Sequence, residues 1–408
     1  MRRRPPPRLV AAVILKLVAD DLAHGTLAAI RSLGRIGVPV TFIGESPRIP
    51  PARSRWVSRR IAWPATPDPG EDLVDMLSRL GRTFPDRPFL LPVDDVGALF
   101  VQDHVDCLAE IFRFPRLPEG LARDLADKAR LHGLCQRAGV PDPVSVFPRS
   151  AADAATLAGE LGYPVVVKSM DPRLLRGRPG AKSVAIAEDE AQLSAIYEAG
   201  EDESQPNFML QEFIPGDPQS VWMFNGYFDF SSACLIGFCG QKVRQYPVGT
   251  GATSLGICRD NPDVRELACR FLGGVGYRGI VDMGFRLDRR SGEYKLLDVN
   301  PRMGATFRLF VGRAGGDVVR AEYLDLTGEE VLPDTAPDGR HWVAEANDLR
   351  TFLAEHREGR ITTRQWLRSL SGVDEWAWLS WDDPLPALAA LVSLAPGRSS
   401  RPRQSRAT

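Results

Sequence analysis

The strongest pattern in the chain is an apolar run from Leu9 to Ala19 (LVAAVILKLVA), interrupted only by Lys16. Such a run reads as a strand buried on both faces of a parallel sheet. From His24 to Leu33 the period becomes helical, with Leu27, Ala28, Ile30 and Leu33 on one stripe. Gly37 stops that helix, and Val38 to Ile43 form a second apolar strand. Strand, helix and strand in this order predict a doubly wound α/β unit. Residues 89–93 (FLLPV) add another strand, followed by Asp94 and Asp95. Open α/β sheets hold ligands at that end; capping of the next helix is the other reading of this pair.

The pattern changes at 115–120 (PRLPEG), which predicts a domain edge. Residues 121–138 read as a helix that Ala138-Gly139-Val140-Pro141 brings to a stop. Ser150 and Asp153 form a capping box that opens a helix to Leu161. A strand follows at Val165–Lys168, then a loop over 170–182 carrying Gly177, Pro179 and Gly180 among Arg173, Arg176, Arg178 and Lys182. A helix over 189–199, a strand over 207–213 and strands near 220–230 and 233–240 come next. A helix over 262–273 precedes a hairpin, 279–287 with 293–299, that turns at Asp288–Gly292. Residues 317–395 are mixed and Trp-rich (342, 366, 376, 378, 381), and the last dozen residues carry four Arg and no acid, as a disordered basic tail would.

Composition narrows the classes. With 408 residues, 44% hydrophobic, the chain is long enough for two or three domains and too apolar for global disorder. Lys and Arg number 51 against 52 Asp and Glu, so there is no basic footprint for nucleic acid. Six Cys make no CxxC pair and five His make no zinc spacing, which predicts reduced thiols in a cytoplasmic protein. Arg2–Arg4 before the first apolar run resemble a signal peptide. Lys16, Asp20 and Asp21, and the lack of a small-x-small cleavage site, favour a first strand instead. No stretch reaches the roughly 18 apolar residues of a membrane span.

Two glycine motifs carry no chemistry. Gly274–Gly279 fits GxGxxG, but a helix precedes it and a strand follows, the reverse of a dinucleotide fingerprint. Gly251–Gly256 has P-loop spacing without the Lys-Ser/Thr. The hairpin is more informative. Asp298 and Asn300, two apart on a strand, share a face and offer hard oxygen donors suited to Mg²⁺. A strand end with Asn before Pro is the plain alternative. Lys168 leaves its strand beside a Gly- and Arg-bearing loop, where it can hold phosphate oxygens. Leu210-Gln211-Glu212-Phe213-Ile214-Pro215-Gly216 is an apolar strand breaking at Pro-Gly, suited to an adenine edge and face.

In sequential order over residues 9–312, these segments resemble the ATP-grasp superfamily, specifically its carboxylate–amine ligase-like branch. The carriers are Asp127-Lys128, Tyr163 to Lys168, Gln211 to Gly216, Lys242 to Pro247, Gly279 to Phe285, and Asp298 to Arg302. The resemblance implies an N-terminal Rossmann-like, doubly wound pre-ATP-grasp domain (1–117) and an ATP-grasp fold of two α+β subdomains. These are a small one with a phosphate lid (118–205) and a C-terminal one with a metal site (206–325), followed by an extension (326–395) and the basic tail (396–408). It implies that Lys128, Lys168 and the lid's Lys182 contact ATP phosphates, that Gln211, Glu212, Phe213 and Ile214 contact adenine, and that Asp217 contacts ribose. Lys242, Arg244 and Arg302 become the catalytic basic residues, with Arg244 or Arg302 facing the oxyanion. Asp298 and Asn300 become ligands of Mg²⁺, with Mn²⁺ as an alternative. The family's acidic ligand on the first hairpin strand falls at Gly284 here; Asp282, two residues earlier on the same face, is the candidate substitute. The activity implied is ATP-dependent joining of a small-molecule carboxylate to an amine through an acyl phosphate, releasing ADP. No nucleic-acid or membrane partner is implied, and a homodimer is an assembly common to such enzymes. An ATP-binding protein without catalysis, and a phosphotransferase stopping at the acyl phosphate, are the alternatives that Gly284 keeps open.

Overall fold

The computed structural model describes residues 9–20, 22–66, 70–175, 177–202, 204–249 and 251–394. Arg2–Arg4, Asp21, Arg176, the side chain of Arg173 and the basic tail lie outside the described residues. The chain forms two compact units. One holds the described residues up to Phe114 and those from Trp376 onward; the other is Pro115–Glu375. Residues 326–395, read above as one extension, are thus shared between the two.

In the first unit four parallel strands, β1 (Ala12–Leu15), β2 (Val40–Gly44), β3 (Val57–Ala62) and β4 (Phe89–Pro92), lie in the order β3-β2-β1-β4. The first strand is shorter than its apolar run. Lys16 follows it, 2% exposed, and a buried ammonium needs partners. It finds both Glu45 carboxylate oxygens at 2.8 Å and Val18 O at 2.5 Å. Strand β3 gives no apolar signal because Ser58, Arg59 and Arg60 are exposed at the sheet edge. Asp94 resolves its two readings in favour of the cap. Its Oδ1 accepts from Gly97 N at 2.8 Å and its Oδ2 from Leu17 N and Val18 N at 2.7 and 2.8 Å. The returning segment after Trp376 is anchored by Asp383, 1% exposed, which accepts from Arg31 Nε (3.0 Å), Ser54 Oγ (2.7 Å) and Arg55 N (2.9 Å).

The second unit has two lobes. In the smaller, β5 (Ser145–Val146), β6 (Val165–Ser169), β7 (Val184–Ala187) and β8 (Phe208–Glu212) form an antiparallel sheet ordered β5-β8-β6-β7. Helices Ala151–Leu161 and Glu190–Gly200 bury Ala154, Ala158, Leu193 and Tyr197 against it. Ser150 Oγ accepts from Asp153 N at 3.1 Å, while the Asp153 carboxylate takes Arg149 N rather than closing the box. In the larger lobe, β9 (Val221–Phe228), β10 (Cys234–Tyr246), β11 (Ala252–Cys258), β12 (Gly279–Asp288), β13 (Glu293–Asn300) and β14 (His341–Val343) are antiparallel in the order β13-β12-β9-β10-β11-β14. Helix Pro262–Gly274 packs Phe271 and Leu272 into the core with Phe224, Val281 and Met283.

Two expectations change here. The helix predicted over 121–138 is two helices, Leu121–Ala126 and Lys128–Ala138. Asp127 leaves the helical conformation and accepts from Ala129 N and Arg130 N, both at 2.9 Å, an N-cap that puts Lys128 first in the second helix. Strand β10 runs to Tyr246, beyond the predicted 233–240, because β11 pairs along it. The six cysteines are free thiols, and among the described residues no helix is long and apolar enough to cross a membrane.

Candidate active site

The hairpin β12–β13 sets the centre of the site. Its register places Asp282 opposite Asn300 and Gly284 opposite Asp298, and β9 brings Asn225 opposite Asp282. Asn225, Asp282 and Asn300 therefore form a row across three strands. Asn300 Nδ2 donates to Asp282 Oδ2 at 3.3 Å, and Arg302 donates to Asn300 Oδ1 at 3.3 Å and to Met303 O at 3.0 Å. Both carboxylates lean on glycines. A Cβ on Gly284 would lie 2.1 Å from Asp298 Oδ1, and one on Gly304 would lie 2.5 Å from Asp282 Cγ. Asp298 thus occupies the space that a side chain at 284 would fill.

Lysines from both lobes share this electrostatic environment. Burial, then the Asp298 charge, pushes the Asp282 carboxyl up to about 6, with Arg302 and Lys242 opposing. Lys168, on β6, is lowered to about 8 by burial first; Asp298 opposes this, while Lys128 and Lys242 add repulsion. Lys242, on β10, is lowered by burial while Asp298 and Asp282 support its charge; its Nζ donates to Gly251 O at 3.1 Å. Lys128 donates to Met170 O at 3.3 Å. Lys128 and Lys168 also line a cleft of about 20 Å³ with Met209, Gln211, Leu296 and Leu297.

Other predicted residues lie elsewhere or are engaged. Arg244 is a correction. Two residues apart on a regular strand, Lys242 and Arg244 would share a face, but β10 bulges between them. Arg244 is 6% exposed and bound to both Asp348 oxygens at 2.8 Å and to Ser369 Oγ at 2.8 Å, so it does not join the cluster. Glu212 is paired with Lys295 and, at 3.5 Å, with Arg290, and its backbone N donates to Val144 O at 2.9 Å. Phe213 and Ile214 continue from β8, with Ile214 buried. Asp217 caps the turn at Ser220 N (3.0 Å) and faces Arg289 at 3.5 Å. Lys182 is exposed and lines a separate cleft of about 950 Å³ with Val184, Ile186, Ile196 and Val248. Asn225, wholly buried, and Asp348 were not predicted. A lone Asn inside the apolar stretch VWMFNGYF was the available signal for the first; nothing local marks the second.

Two antiparallel lobes that bring the lysines of one to the carboxylates of the other define an ATP-grasp fold. No family profile matches the chain. It is 26% identical to the D-aspartate ligase of Enterococcus faecium over 68% of this chain and 69% of that one, and 27% identical to the D-alanine–D-alanine ligase of Ectopseudomonas mendocina over 62% and 78%. Against the N-terminal section of the carbamoyl phosphate synthase large chain of Methanopyrus kandleri it is 27% identical over 48% of this chain but spans only 34% of that relative. In fold it resembles the biotin carboxylase domain of the Hydrogenobacter thermophilus 2-oxoglutarate carboxylase, a dimer solved with MgADP, at a TM-score of 0.61, 17% identity and coverage of 82% and 74%. The chain has the ATP-grasp fold, and the curated proteins it resembles in sequence include ATP-dependent carboxylate–amine ligases.

Proposed function

We propose that the unit Pro115–Glu375 uses ATP to activate a small-molecule carboxylate as an acyl phosphate and joins it to an amine. The observation that carries this reading is that Lys168 and Lys242, one from each lobe, both feel the charge of Asp298, and Lys242 that of Asp282 as well. Lys128 and Lys168 would bind the nucleotide phosphates, and the cleft beside them the base. Asp282, Asp298 and Asn300 present oxygen donors alone, and among the described residues there is no cluster of three His, Cys, Asp or Glu. That set fits Mg²⁺, which keeps waters and phosphate oxygens in its shell, and Mn²⁺ would fit the same donors. Bound there, the ion would neutralise charge on the transferring phosphoryl group.

Phosphoryl transfer requires positioning and charge compensation rather than a protein nucleophile. A carboxylate oxygen bonds to the γ-phosphorus as the bond to the β,γ-bridging oxygen breaks and ADP departs. The amine nitrogen then bonds to the acyl carbon, phosphate leaves with the bonding pair, and the amine gives up a proton. Arg302, next to Asn300, would be the cation that meets the oxyanion, since Arg244 is committed to Asp348. The amino acids named in the relatives, D-aspartate and D-alanine, are the first substrates to test. The fold-neighbour dimer makes a homodimer the assembly to test.

The test incubates the protein with Mg²⁺-ATP and pooled amino acids and small carboxylic acids, and separates the nucleotides. ADP that appears only with the pool, together with an amide product that needs the amine, supports the reading. AMP in place of ADP overturns the acyl-phosphate step. ADP formation indifferent to amine leaves a phosphotransferase in its place.

A further inference from the structure

Helix Leu385–Leu394 (LPALAALVSL), in the first unit, is apolar on nearly every side, the pattern of a helix that is covered all round. It packs on the short turn Pro50–Arg53, and the residues buried on the two sides are small: Pro386, Ala387 and Ala390 on the helix, Pro50, Pro51 and Ala52 on the turn. Its large side chains face the other way. Leu385, Leu388, Leu391 and Val392 are each more than half exposed, and Trp381, just before the helix, is fully exposed. At 3.6 residues per turn the four fall in one stripe about 120° wide, opposite the buried residues.

Neither the remaining residues nor a lipid surface suits this stripe. The residues outside those described, 1–8, 21, 67–69, 176, 203, 250 and 395–408, hold one large apolar side chain, Met1. Helices that lie in a headgroup layer carry Lys or Arg along a polar face. Residues 384–397 have no charged side chain, and the acids before them are engaged, Asp382 by Arg35 at 2.9 Å and Asp383 by Arg31 at 3.0 Å. An uncharged apolar stripe meets its own copy without like-charge repulsion.

We propose that this stripe is a homodimer interface, in which helix Leu385–Leu394 lies antiparallel to the same helix of a second copy about a two-fold axis. A two-fold contact uses one patch twice, which this stripe allows. Trp381 and the four helix residues expose an area on the order of the 800 Å² per partner buried in a standard interface. Arg398, Arg401, Arg403 and Arg406 follow the helix. Antiparallel pairing starts the two basic segments at opposite ends of a helix about 15 Å long, beyond the Debye length of about 8 Å, where parallel pairing would set them side by side. Leu388 stands at the middle of the stripe, so its two copies meet at the axis.

The test is sedimentation velocity of the full chain at micromolar concentration. The wild type is expected at twice the mass of the chain. Leu388→Glu and Leu388→Lys are each expected to sediment as folded monomers, because the residue is exposed in the single chain and like charges would meet at the axis. An equal mixture of the two is expected to regain the dimer, with one copy of each. Leu391→Glu is a second disrupting variant should either of the first fail to fold. A monomeric wild type, or folded Leu388→Glu and Leu391→Glu that both remain dimeric, overturns the proposal. Failure of the mixture to pair overturns the antiparallel axis at Leu388. A monomeric wild type that binds phosphatidylglycerol vesicles, with the binding lost in Leu388→Glu, gives the stripe to a lipid surface instead.

Discussion

Gly284 is where residue chemistry departs most from the resemblance. An acid is expected there; the structure has a glycine with the Asp298 carboxylate lying over it. Of the two acids that remain, Asp298 is close enough to Asp282 for its charge to help raise the Asp282 carboxyl. The glycine therefore makes room for Asp298. Gly284→Ala puts a methyl group 2.1 Å from Asp298 Oδ1, which must move. The expected outcome is a loss of about 10²-fold in kcat, the scale of an ångström-sized displacement at a reacting centre, with the melting temperature little changed. Steady-state kinetics over a Mg²⁺ titration checks it, and unchanged kcat would show that Asp298 is not at the reaction. The pairing of Asp298 with Asn300 was legible from period-two spacing. The row completed by Asn225 was not, because strand β9 meets β12 across more than fifty residues of sequence.

At the scale of elements, β10 shows how one irregularity reassigns chemistry. Its bulge separates Lys242, which stays with the carboxylates, from Arg244, which Asp348 takes. Asp348 also accepts from Trp366 Nε1 at 2.9 Å, so the pair ties β10 to helices Glu345–Arg357 and Thr363–Leu370. Asp348→Ala leaves a buried guanidinium without its counter-charge, which costs about 3–5 kcal/mol. Denaturant melts read this directly, and a change below 1 kcal/mol would contradict it. Capping was readable from sequence at Ser150, and the hairpin turn at Asp288–Gly292 was placed correctly, because both are local chemistry. The bulge was not, since only pairing with β11 creates it. Nor was the break at Asp127, because the apolar period alone does not mark where a carboxylate captures two amides.

Across the whole molecule, folding couples to pH through groups far from the reaction. Glu322, in helix Val318–Thr327, is buried and takes Ile280 N at 3.0 Å. Burial, reinforced by Asp325, raises its carboxyl from 4.5 to about 8 against the opposing backbone bond. The folded state therefore holds a proton that the unfolded chain releases. Its contribution to stability is complete below pH 4.5 and is lost as pH rises toward 8. Glu322→Gln keeps an oxygen for Ile280 N and removes the proton linkage. The expected result is a flatter melting temperature between pH 5 and 8, and a slope equal to that of wild type would refute the assignment.

By itself the sequence determined the fold class and most of the order of the elements, and it put Lys168, Asp298 and Asn300 forward as candidates for phosphate and metal binding. Those follow from periodicity, caps and short spacings, which act within a few residues. Only the tertiary structure decided what Arg244 pairs with, how Asp282 and Asp298 sit against glycines, and that residues from Trp376 onward join the first unit. These outcomes depend on contacts between distant segments, where burial of a charge obliges it to take whichever partner the fold supplies.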